Sequence, residues 1–168
     1  MRTIKYILVN DTVSKTPSGA PVRYDASNLG HHYVINRGSS ECNPSSLGDC
    51  RVASEVGNAN SAGAVLKLID VCQPGSFMPK PTCGEEDLNR CSIGIKYNGS
   101  LEPGTLNLEL RAKLIELLAE LRSQWPSAKI LGISEIGFGT LNFEPGTRGV
   151  IRPSDAMNQI RRTLSDLP

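Results

Sequence analysis

The tightest constraint on this chain is the run Ile4-Lys5-Tyr6-Ile7-Leu8-Val9, which ends on Asn10 and Asp11. Its apolar length falls far short of the roughly 20 residues of a membrane span and suits a buried strand. Apolar side chains occupy both parities, Ile4, Tyr6 and Leu8 against Ile7 and Val9. Such a strand is buried on both faces, as in a sheet with structure packed on either side. Its last side chains then reach the C-terminal edge of the sheet, where open α/β sheets place their sites. A site is therefore expected around Asn10, although asparagine is neutral and a weak metal ligand.

Further along, Thr12 to Leu29 is rich in Ser, Thr, Pro, Gly and Asn and reads as an extended loop. Gly30 to Arg37 reads as a second strand, with a turn beginning at Gly38. Ser39 to Asp49 is turn-rich, Cys50 to Gly57 suggests a short third strand, and Ala62 to Val71 a short helix. Residues 72–91 carry prolines and three cysteines and read as an irregular insertion. Ser92 to Tyr97 returns as a strand closed by the turn pair Asn98-Gly99. The most regular element follows. Leu110, Leu114, Leu117, Leu118, Leu121 and Trp125 form one stripe of an amphipathic helix, with Thr105 or Asn107 as its cap and Pro126 as its stop. Ala128 to Ser134 is the next strand, and Gly137 to Gly149 a Gly- and Pro-containing loop. A last helix is expected from near Pro153-Ser154-Asp155, burying Met157, Ile160 and Leu164. The order predicts one α/β domain over residues 1–168, a mixed central β-sheet flanked by helices.

The charge balance, 18 lysines and arginines against 17 acidic residues, gives no electrostatic footprint for nucleic acid or an anionic membrane. No signal-peptide pattern opens the chain, so a cytoplasmic product is expected, with later release to the cell envelope left open. Five cysteines (Cys42, Cys50, Cys72, Cys83 and Cys91) make an odd count, and none forms a Cys-x-x-Cys pair. Reduced thiols are the expectation, with a bridge among Cys72, Cys83 and Cys91 reserved for an oxidising compartment.

Several fragments, in order, carry a likeness. They are the opening strand, Gly30-His31-His32-Tyr33-Val34-Ile35, Val56-Gly57-Asn58-Ala59-Asn60, and Ser92-Ile93-Gly94-Ile95. Trp125-Pro126 with Ala128 to Ile133 follows, then Arg152-Pro153-Ser154-Asp155. The set resembles the zinc-dependent N-acetylmuramoyl-L-alanine amidases of the type 2 class, which include phage lysozyme-like amidases and the related peptidoglycan recognition proteins. The resemblance implies their mixed-sheet fold and a zinc held by two histidines and a cysteine or aspartate. On this match those ligand positions fall on Asn10, Ile133 and Arg152, so all three are changed. The tyrosine beside the site in phage members corresponds to His31, and the histidine of the Val-Gly-x-His segment to Ala59.

The residue chemistry agrees. A catalytic zinc needs three protein ligands and an open position, whereas the chain has two histidines, His31 and His32, adjacent in an expected strand and thus directed to opposite faces. His32 is expected to be packed and hydrogen-bonded. Arg152 would repel the ion. A carboxylate pair drawn from Asp11, Glu135 and Asp155 is the remaining route to acid–base chemistry, against the plainer reading of carboxylates at loop ends.

The expectation is a catalytically inactive, metal-free amidase-like domain with no cofactor. It would keep a groove for a peptidoglycan fragment or a protein partner, with Asn10, Asp11, His31, Asn58, Asn60, Glu135 and Arg152 as ligand-binding positions. Two alternatives stay open: an active zinc amidase with rearranged ligands (Asp11, His31 and a cysteine of the insertion), and a protein-interaction module, phage- or mobile-element-borne, with a vestigial groove.

Overall fold

Strand β1 (Tyr6–Asp11) is an interior strand of a mixed sheet. In the computed structural model it is paired in parallel on one edge with β4 (Ser92–Tyr97) and on the other with β5 (Lys129–Gly132). The structure describes residues 2–11, 30–35, 65–78, 86–97, 101, 108–136 and 155–168. Among them the sheet has five strands in the order β3-β2-β4-β1-β5, completed by β2 (Tyr33–Ile35) and β3 (Val65–Lys67). Strand β2 runs parallel to β4, and β3 is antiparallel to β2.

Side-chain alternation sorts the sheet into two faces. One face, with Ile7, Val9, Ile93, Ile95, Tyr97, Ile35 and Ile130, packs on Leu110, Leu114, Leu117, Leu118 and Leu121 of helix α2 (Leu108–Gln124). Helix α3 (Asp155–Asp166) adds Met157, Ile160 and Leu164 to the same cluster. Both helices bury the residues that their apolar spacing selects. The opposite face carries Tyr6, Leu8 and Leu131, which pack with Phe77, Met78, Ile133 and Ile136 and with Leu88 and Cys91 of the helical turn α1 (Leu88–Cys91). No helix among the described residues is long and apolar enough to cross a membrane.

Four expectations change. Ala62–Val71 is not a helix where it is described: Val65–Lys67 pairs with β2 as an edge strand, and the Leu68 amide donates to the His32 carbonyl at 2.8 Å. Its apolar residues follow no single helical stripe, so strand pairing decides the segment. The insertion at 72–91 holds a turn of helix, because the Asp87 carboxylate accepts the Asn89 amide at 3.0 Å and caps it. Strand β2 begins at Tyr33 rather than Gly30, with Gly30 to His32 forming a bend before it, and residues 36–38 lie outside the described residues. Strand β5 stops at Gly132, where Ile133–Glu135 turns into a 3₁₀ helix. The segments 12–29, 50–57 and 137–149 lie outside the described residues.

That 3₁₀ turn is held by a buried ion pair. Glu135 is fully buried, takes two bonds from the Arg161 guanidinium at 2.8 and 2.9 Å, and accepts the Gly132 amide at 2.8 Å. Arg161 also donates to the Ile130 carbonyl at 3.1 Å, so α3 is stitched to β5 by one side chain. Removing one partner of such a pair leaves a buried charge without compensation. Arg161→Met is expected to lower stability in urea unfolding by about 3–5 kcal/mol, and adding Glu135→Gln should restore a good part of that loss.

Candidate functional site

The face opposite the helices is divided along β1. Its N-terminal half is covered by residues 75–78. The Phe77 ring lies directly over Gly94 of β4, where a Cβ would meet ring atoms at 2.5–2.6 Å. The ring stacks on His31 with centroids 4.9 Å apart and meets His32 edge-on at 6.1 Å. Glycine at position 94 is therefore what admits the aromatic ring.

Several polar residues fasten this cover. The Ser76 amide donates to the Gly30 carbonyl at 3.0 Å, and Asn89 takes both backbone groups of Met78 at 2.9 Å each. His32, fully buried, accepts the Gly94 amide on Nδ1 at 3.0 Å, which leaves the ring proton on Nε2 for the Gln73 carbonyl at 2.9 Å. Arg2 converges on the same place, donating to the carbonyls of Gln73, Val71, Arg90 and Ser92. Burial, and secondarily the Arg2 charge, hold the His32 pKa below its ordinary value, while the Gln73 carbonyl opposes the shift. His32 is thus a neutral, structural imidazole.

Farther along the strands lies a second set of side chains. Asn10 shares the parity of Tyr6 and Leu8 and so points to this face, where its amide nitrogen donates to His31 Nε2 at 3.3 Å. Register pairs Asn10 with Lys96 of β4, and Lys96 with Val34 of β2. Lys96 alternates with Ile95 and Tyr97, which face the helices, so it shares the Asn10 face. Val9 pairs with Gly132, which sets Ile133 beside Asn10 one residue beyond the pairing. The result is a row of Val34, Lys96 and Asn10 across β2, β4 and β1, with Ile133 at its end in the turn that follows β5. Lys96 carries no sequence signal beyond its place in a strand; its position beside Asn10 depends on register.

Of the sequence-selected residues, the structure brings Asn10 and His31 together. Asp11 has the opposite parity, and its carboxylate accepts the Leu101 amide at 3.3 Å. Glu135 is engaged by Arg161, and Asp155 is exposed at the first turn of α3. Asn58, Ala59, Asn60 and Arg152 lie outside the described residues.

Cys91 cannot join Asp11 and His31 around one ion. Its carbonyl accepts the Lys5 amide at the start of β1, about 20 Å of strand from Asp11. Burial first, then the Glu86 charge, pushes its thiol up to about 11. Cys72 and Cys91 are free thiols, Cys72 exposed, while Cys83 lies outside the described residues. Among the described residues no three of His, Cys, Asp or Glu are grouped to hold a metal ion. Comparison with family models, with curated proteins and with solved structures finds no match to this chain.

The lowered pKa of His32 has a testable sign. The folded protein binds its proton less readily than the unfolded chain, so this contribution to stability is complete above the ordinary value of 6.5. It is lost progressively as pH falls below that value toward the folded pKa. The urea midpoint is expected to drop on acidification from neutral pH, and His32→Gln to flatten that dependence. NMR titration of the His32 ring proton should give a midpoint below 6.5.

Proposed function

We propose that this chain is an amidase-like domain that works without a metal, binding a muropeptide on the sheet face around Asn10. The single observation that carries this reading is the convergence of positions. Asn10, near the end of β1, and Ile133, which follows the last paired residue of β5, are aligned with two zinc ligands of the resembled amidases and come to the same sheet edge, with His31 bonded to Asn10. That two residues far apart in sequence lie together at this edge is what supports the reading.

The residues present do not fit zinc. Asn10 offers a neutral carboxamide engaged with His31, Ile133 packs among apolar side chains, and the position paired with Asn10 on β4 is a lysine. What the arrangement supports is recognition. An amide, an imidazole and a cation beside apolar surface suit a ligand with amide and carboxyl groups along a peptide and hydroxyls on a sugar.

Metal analysis of protein purified in the presence of zinc, paired with calorimetric titration of soluble muropeptides, tests the reading. Substoichiometric zinc with saturable binding is the expected result. Stoichiometric zinc together with peptide release from peptidoglycan would sink it, and absence of binding at millimolar muropeptide would leave a protein partner instead. The alignment is checked separately: a folded triple variant Asn10→His, Ile133→His and Arg152→Cys should gain zinc affinity.

A further inference from the structure

The two nitrogens of the His32 ring are fixed in different ways, and the difference decides where a proton can be added. Nε2 gives its hydrogen to the Gln73 carbonyl at 2.9 Å, so the lone pair of the neutral ring is on Nδ1. That lone pair takes the Gly94 amide at 3.0 Å, with the whole residue out of contact with solvent. A proton on Nδ1 would set two N–H groups against each other, so an imidazolium cannot keep this bond. Beside Nε2, the Arg2 guanidinium shares the Gln73 carbonyl and stands 2.9 Å from the ring nitrogen. An imidazolium there faces a permanent cation. Among the described residues the charges acting on the ring are Arg2 and, with opposite effect, Asp70. The Asp70 carboxylate is exposed and already takes the Cys72 amide and Lys67. His31, the other imidazole of the bend, stacks on Phe77, and the Cys72 and Cys91 thiols neighbour Arg2.

The same two side chains hold residues 71–73 down. Arg2 ties the Val71 and Gln73 carbonyls to those of Arg90 and Ser92, and His32 ties Gln73 to Gly94. Charging the imidazole breaks one tie and repels the other. The ends of the segment are held separately: the Leu68 amide donates to the His32 carbonyl at 2.8 Å, and Asn89 takes both backbone groups of Met78. Between these ends remain the bonds of the Gly75 amide to the Asn89 carbonyl at 3.2 Å and of the Ser76 amide to the Gly30 carbonyl, with Phe77 packed over Gly94.

We propose that residues 71–77 are an acid-released cover, which protonation of His32 detaches from the sheet to bare the face at Gly94 next to Asn10 and His31. The device is independent of what that face binds. One proton is taken up per opening, at Nδ1. The covered form holds the His32 pKa below the ordinary 6.5, and the open form returns it there. Closure is therefore fully favoured above 6.5, and each pH unit below it favours opening by up to about tenfold until the pKa of the covered form is reached.

The test follows the full chain by NMR as pH is lowered from neutral. Three readouts are compared: titration of the His32 ring, the contact between the Phe77 ring and Gly94, and exchange of the Ser76 amide corrected for its intrinsic pH dependence. The ring contact should be lost with the His32 midpoint, and Ser76 protection should fall by up to about tenfold per pH unit across that window. Amides within β1 should keep their protection. In His32→Gln, which cannot take up the proton, the contact should persist over the same range. A Phe77–Gly94 contact that survives after His32 has titrated overturns the proposal. So does loss of protection at Ser76 and in β1 together, loss that follows His31 rather than His32, or opening of His32→Gln at the pH of the natural chain. If His32→Gln does not fold, the coincidence of the His32 midpoint with loss of the contact in the natural chain decides alone.

Discussion

The structure depends on β1 being hydrogen-bonded on both edges and buried on both faces. Ile7 and Leu8 have no solvent contact although they point in opposite directions, and Val9 is nearly as enclosed. A slip of one residue would drive Leu8 into the space against the helices and turn Asn10 toward them. The partners resist that slip in different ways. On the helix side, Ile7 and Val9 meet the leucines of α2; on the other, Gly94 beside Leu8 leaves the room that Phe77 fills. Register is therefore the quantity that fixes which residues can act together.

The cover over the N-terminal half follows from backbone accounting. Residues 70–78 belong to no helix or strand, so their amides and carbonyls need partners from elsewhere. Arg2 serves Val71 and Gln73, Asn89 serves Met78, and His32 joins Gln73 to Gly94. The polar residues inside this layer are thus a consequence of laying irregular chain across a sheet. They also explain why a histidine that lies beside the suspected site is committed to structure, whereas its neighbour His31 is turned toward Asn10.

The sequence made the core legible wherever one period ruled. The double-parity run of β1, the leucine stripe of α2 and the Met157, Ile160, Leu164 spacing of α3 each name the side that is buried. It was less telling where partners decide. Val65-Leu66-Lys67 carries no strand alternation of its own and becomes a strand because β2 offers an edge. Leu88 to Cys91 is helical because Asp87 caps it within an otherwise irregular stretch. For the site, Asn10 and His31 could be selected as residues, since one ends a buried strand and the other has no apolar stripe to explain it. Lys96 could not, because nothing local distinguishes it from a solvated lysine. Glu135 was misleading in a related way: a carboxylate near the sheet edge suggests acid–base chemistry, and only the fold reveals that Arg161 takes it.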